Sequence, residues 1–137
     1  MIGRYSIVLP VLMGLNSLIC AATVHAEPNA EPHKVHHVVV VWLKQAGDDN
    51  VRRQYIEVSK PLALLPGVLS YDIGIPAAIR RGRASAALDE SYDLAISSSY
   101  QSQQAFEDFL KNPEYLRVAQ QVLKPLVDKY KVYDFIE

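Results

Sequence analysis

Val35-His36-His37-Val38-Val39-Val40-Val41-Trp42-Leu43-Lys44 is the stretch that decides the fold. Four consecutive valines favour extended backbone, because two heavy atoms on Cβ fit a pleated surface better than a helix. The run is apolar at every position, not at alternate ones, so both faces of the strand expect cover. Helices of a two-layer α+β domain can cover only one face of a sheet. A second subunit is the natural cover for the other, and the strand therefore predicts a homodimer.

Downstream, Asp48 and Asp49 suit a helix start. Val51, Tyr55, Val58, Leu62 and Leu65 follow at spacings of four and three, one apolar face of a helix. Pro61 lacks an amide proton and constrains its predecessor, so a break is expected near Ser59 and Lys60. Pro66-Gly67 ends the segment, and a second strand runs from Val68 to Ile75. Residues Pro76 to Glu90 form a long connection carrying Arg80, Arg81 and Arg83. An anion-binding flap over a pocket and a solvated loop both fit it, and the composition favours the loop.

Tyr92 to Tyr100 reads as a third strand, with Leu94, Ile96 and Tyr100 alternating with Asp93, Ala95 and serines. Ser102 can cap a helix whose buried face is Ala105, Phe106, Phe109 and Leu110. Asn112-Pro113 caps and opens another helix, with Leu116, Ala119, Val122 and Leu123 on its apolar side. Pro125 marks its end, and Lys131 to Ile136 is the last strand. The order β-α-β-β-α-α-β is a ferredoxin-like α+β fold with an extra helix and a four-stranded antiparallel sheet.

Upstream, residues 1–26 read as a secretory signal peptide. Arg4 charges the n-region, Ile7 to Ile19 is apolar, and Val24-His25-Ala26 suits cleavage before Glu27. Residues 27–34, with two prolines among polar residues, read as a flexible linker to a domain over residues 35–137. The expected destination is the periplasm or the exterior, with no membrane association after cleavage. Cys20, the only cysteine of the 137 residues, would leave with the signal, so no disulfide is expected. The chain has 14 basic and 15 acidic residues, and loss of Arg4 leaves a net charge of −2. No basic field marks it for nucleic acid.

His33, His36 and His37 look like a metal cluster, but neighbouring strand residues point to opposite faces, so His36 and His37 cannot easily share an ion. No metal or other cofactor is expected. Trp42 lies on the face opposite His37 and reads as an anchor of the subunit interface. Tyr130, Tyr133 and Asp134 read as packing and edge residues.

His37-Val38-Val39-Val40-Val41-Trp42-Leu43-Lys44, Leu65-Pro66-Gly67-Val68, Tyr92-Asp93-Leu94, Asn112-Pro113-Glu114-Tyr115 and Tyr133-Asp134-Phe135 occur in this order across residues 35–137. Together they resemble the stress-responsive dimeric α+β barrel (Dabb) family. The resemblance implies two four-stranded sheets packed face to face, with helices outside and, in some members, a cavity between each sheet and its helices. It also implies a pocket near His37, with Val39 and Val41 beside it on the strand. Plant polyketide cyclases of this type pair the first-strand histidine with a second from a His-Pro-x-His segment. Here that segment carries Asn112 and Tyr115 in place of both histidines. Phe109 falls where such cyclases carry a tyrosine, and Val58 about where another would lie.

The resemblance makes His37 the candidate general base, with Tyr115 as its hydrogen-bond partner, since imidazole as a class exchanges protons near neutral pH. Val39, Val41, Val58, Phe109 and Asn112 are the candidate ligand-binding residues. The expected function is binding of a small apolar or aromatic ligand without firm catalysis. A cofactor-independent cyclase or lyase using His37 is the alternative, and a purely structural dimer with a filled core is a third.

Overall fold

The computed structural model describes residues 32–137; the expected signal peptide and most of the linker lie outside them. Strand β1 (Val35–Leu43) is followed by helix α1 (Asp49–Ser59) and a 3-10 turn over Lys60–Leu64. Strands β2 (Val68–Gly74) and β3 (Leu94–Tyr100) come next. Helix α2 (Gln103–Lys111), the short helix α3 (Pro113–Arg117), a π-helical segment over Val118–Leu123 and a 3-10 turn over Lys124–Leu126 lead into strand β4 (Val127–Ile136). The four strands form one antiparallel sheet in the order β2-β3-β1-β4, a ferredoxin-like arrangement.

Local chemistry sets the boundaries. The Asp48 carboxylate accepts from the amides of Asn50 and Val51 at the start of α1. The helix gives way to 3-10 geometry at Lys60, one residue before Pro61. Ser102 caps α2 and Asn112 caps α3. Gly67 turns the chain into β2 with φ of +83°, and a Cβ there would lie 2.8 Å from Cβ of Ala105. Gly67→Ala is therefore expected to cost about 1–3 kcal/mol, read as a lowered thermal midpoint. An unchanged midpoint would mean that this turn relaxes freely.

The helices cover one side of the sheet. Val35, Val41 and Leu43 of β1 are buried there, with Leu94, Ile96 and Tyr100 of β3 and with Val51, Tyr55, Leu62, Phe106 and Phe109 from the helical layer. The other side carries His36, Val38, Val40 and Trp42, none of them fully buried, beside the exposed Tyr133 and Phe135 of β4. A single subunit thus covers only one face of its β-branched strand.

Two expected faces differ. Leu110 and Leu116 are exposed, whereas Val118, not expected to face inward, is almost wholly buried. For Val118 the reason is the π-helical segment. Bonding from i to i+5 widens the turn, so Val118 and Leu123 both reach the core and the 3.6-residue pattern is lost. The loop arginines Arg80, Arg81 and Arg83 are exposed. No helix among the described residues is long and apolar enough to cross a membrane.

Candidate functional site

Between the sheet and the helical layer lies a cavity of about 620 Å³, within the range of small-molecule sites. Its floor is His37, Val39 and Val41 of β1, Ile96 and Tyr100 of β3, Tyr71 of β2 and Val132 of β4. Its roof is Tyr55, Leu62, Phe109, Tyr115, Ala119 and Leu123. Leu116, Gln120, Lys124, Asp128 and Tyr130 also line it and are exposed, which places the mouth between the π-helical segment and the start of β4.

Of the residues expected at a site, His37, Tyr115, Val39, Val41 and Phe109 line this cavity. Val58 does not. It packs partly buried against the core, and Tyr55, about one turn earlier on α1, supplies the lining instead. Asn112 does not line the cavity either, because its side chain is used in accepting from the Glu114 amide as the cap of α3. The arginines of the long connection are likewise not among the lining residues.

His37 has a partner that differs from the expected one. Its Nδ1 lies 2.6 Å from Oδ1 of Asp134, its register partner across the β1–β4 pairing. A carboxylate only accepts, so Nδ1 is the donor, and in the neutral form of an imidazole so held Nε2 keeps a lone pair. Among the described residues no hydrogen bond joins His37 to Tyr115. Asp134, read from sequence as an edge residue, is thus the orienting group of the imidazole. The strand pairing that brings the two together is not visible in a linear motif.

An aromatic series continues from this pair. The His37 ring lies against Phe106 at 4.9 Å, Phe106 against Tyr100 at 4.6 Å, Tyr100 against Phe109 at 4.9 Å, and Phe109 against Tyr115 at 4.7 Å. Four inner tyrosines, Tyr55, Tyr71, Tyr100 and Tyr115, line the cavity, with a fifth, Tyr130, at its mouth. Burial pushes all four phenols above their ordinary range, Tyr71 to about 12, and a charge on one would disfavour charge on its neighbours. They are neutral donors at physiological pH. Tyr55, Tyr71 and Tyr100 were missed in the sequence because they sit on three different elements, at positions where any large apolar side chain would fit.

On the opposite face, His36 stacks on Phe135 at 4.8 Å and its Nε2 lies 3.0 Å from Oε2 of Glu137. Among the described residues no group of three or more metal-ligating side chains converges.

The family model described as the stress responsive A/B barrel domain matches residues 35–137. Among solved structures, the chain is similar to a Dabb family protein with a ferredoxin-like fold from Mesorhizobium loti. The identity is 20%, with 77% of this chain and 97% of that one covered, and the TM-score is 0.62. It is also similar to a dimeric ferredoxin-like protein of unknown function from Thermobifida fusca (17% identity, 78% and 93% covered, TM-score 0.61). The hydroxynitrile lyase from Passiflora edulis is comparably similar (21% identity, 77% and 94% covered, TM-score 0.61). No protein of curated function matches the chain. With the family model spanning the described sheet and helices from β1 onward, the chain belongs to the stress responsive A/B barrel domain family.

Proposed function

We propose that this protein is exported and forms a homodimer through the uncovered sheet face, each subunit binding a small, largely apolar or aromatic molecule in its cavity. The observation that carries the reading is the cavity itself, with a valine-lined floor and a roof of aromatic and aliphatic side chains. Apolar surface of this kind favours an apolar guest. Export rests on the leader pattern of residues 1–26. The dimer rests on the apolar face left open beside Tyr133 and Phe135 and on a similar fold that is described as dimeric.

Native mass spectrometry of the protein from its exported compartment tests this reading. The expected species is a dimer of chains beginning at Glu27, carrying extra mass that leaves on activation. A monomer, or a chain retaining residues 1–26, would contradict it.

A second reading, a cofactor-independent lyase or cyclase, is favoured by one observation, the 2.6 Å contact between Asp134 and His37. Nε2 would take a proton from a substrate C–H or O–H next to a polarised group, and Asp134 would stabilise the resulting imidazolium. The similar fold of a hydroxynitrile lyase is compatible with such chemistry. Glutamine at position 37 keeps a polar head but has no basic nitrogen. His37→Gln should lower turnover about 10²–10⁴-fold if His37 is the base, and leave ligand retention near that of the unaltered protein if the cavity only binds. Turnover that survives the substitution excludes His37 as base.

A further inference from the structure

The uncovered sheet face is divided lengthwise by side-chain size. Cross-strand register puts Ser70, Asp72 and Gly74 of β2 on that face, with Ser99, Ser97 and Ala95 of β3 beside them. The hydroxyl oxygens of Ser70 and Ser99 lie 2.6 Å apart there. None of these six side chains is larger than aspartate. The other half, β1 and β4, continues the same rows with larger groups. Ser70 and Ser99 lead to His36 and Phe135, Asp72 and Ser97 to Val38 and Tyr133, and Gly74 and Ala95 to Val40 and Lys131.

Charge is divided along the same line. Lys129 and Lys131 of β4 lie over the Trp42 ring, their Nζ atoms 4.9 and 5.7 Å from its centroid. Asp72 is the one carboxylate among the strand residues of this face, since Asp128 and Asp134 of β4 belong to the cavity side. No ion pair among the described residues includes Asp72. The acids nearest the face are otherwise engaged, Asp89 by the amide and hydroxyl of Ser91 and Glu137 by His36. β2 and β4 are the outer strands with two strands between them, so Asp72 and Lys131 of one chain stand roughly 14 Å apart and cannot meet.

Two aligned sheets related by a two-fold axis can close face to face in two ways. With the axis across the strands, every strand lies on its own mate. Large side chains then oppose large ones, the lysines gather, and the two Asp72 carboxylates face each other. With the axis along the strands, β2 lies on the partner's β4 and β3 on its β1. Small side chains then oppose large ones, and acid opposes base. Close packing and the cost of unpaired buried charge both favour the second arrangement. A Cβ built on Gly74 would meet nothing within 4 Å, so the β2 edge leaves room for a long side chain in that row. Asp72 is one same-face row away, about 7 Å along the strand and within the reach of a lysine.

We propose that the homodimer closes about a two-fold axis parallel to the strands, with Asp72 of each subunit paired to Lys131 of the partner subunit. This rests on the dimer reading above and adds its axis and its two symmetric ion pairs.

The test reverses the charges. Asp72→Lys and Lys131→Glu each set like charges together at both pairs, and the double variant restores two attractive pairs with their ends exchanged. Dissociation constants are measured by sedimentation equilibrium on the exported protein. Each single variant should weaken the dimer by roughly 10- to 100-fold at low salt. The double variant should recover most of the loss, and the differences should shrink in about 1 M salt. Single variants as tight as the unaltered dimer would overturn the axis and leave the dimer standing, because the crosswise axis only exchanges one like-charged meeting for another. Weakening without recovery in the double variant would overturn the pairing. A monomeric unaltered protein would overturn the dimer reading and this assignment with it. Both side chains are exposed in the single subunit, so neither reversal should disturb the fold, and circular dichroism checks this. A zero-length carbodiimide cross-link reads the contact directly. The covalent dimer should contain Asp72 joined to Lys131, and a covalent dimer joined only elsewhere would overturn the proposal.

Discussion

Asp93→Ala is expected to destabilise the domain by about 3–4 kcal/mol, a large part of the 5–15 kcal/mol typical of a single domain. Asp93 is only 2% exposed. One of its carboxylate oxygens accepts from the Leu43 amide at 2.8 Å. The other accepts from the Gly47 amide at 2.7 Å and from Nη2 of Arg52 at 2.9 Å. It thereby ties the end of β1, the turn after it and the first turns of α1 to the start of β3. Alanine would strand two amides and a guanidinium that keeps a fifth of its side-chain surface in water. Urea unfolding should show the midpoint falling by about 2 M if the slope is near 1.5 kcal/mol per M. A fall below about 0.5 M would mean that water replaces the carboxylate without penalty.

The same residue gives a pH signature. Burial alone would raise the Asp93 carboxyl, but the Gly47 and Leu43 amides and Arg52 outweigh it and hold the group below the usual carboxylate range. A group depressed on folding stabilises the native state above its unfolded value, near 3.9, and loses that contribution as pH falls through the folded value. The stability gap between the unaltered protein and Asp93→Asn should thus be constant from about pH 8 to 5 and close below about pH 4.

Val38→Glu is expected to convert the dimer to monomers at micromolar concentration. Val38 lies on the uncovered face of β1, between Ser97 of β3 and Tyr133 of β4. Closing two sheets face to face would bury the new carboxylate, and its two-fold mate, without a cation in its own register row. Each unpaired buried charge costs several kcal/mol, more than a modest interface supplies in surplus. Leu64→Glu is the control, since Leu64 is 87% exposed and lies in the 3-10 turn, outside the sheet. Light scattering should give a monomer mass for the first variant and a dimer mass for the second. A Val38→Glu dimer would place the interface elsewhere.

Much of this fold is legible because local signals and tertiary need agree. The valine run, the caps at Asp48, Ser102 and Asn112, and the Pro61 break each act within a few residues of chain, and the structure keeps all of them. Legibility ends where a property arises from pairing at long range. Asp93 looks like the polar step of an alternating strand, yet groups more than 40 residues away make it a buried staple. Asp134 reaches His37 only because β4 lies antiparallel to β1 in one register. The π-helical segment hides the buried face of residues 118–123, since a 3.6-residue template cannot register a wider turn. Val58, expected at a pocket by analogy of position, packs against the core, and Tyr55, about one turn earlier on α1, lines the cavity.

The strand order brings Val35 and Ile136 side by side, and the Glu137 amide donates to the Lys34 carbonyl. Chain entering at Lys34 and chain leaving at Glu137 therefore share one corner of the sheet. The cavity mouth, near Lys124 and Tyr130, is at the far end of β4, about 20 Å away at the usual rise of a strand. A ligand entering the cavity therefore passes at the end of the sheet opposite the corner where the first and last strands close on each other.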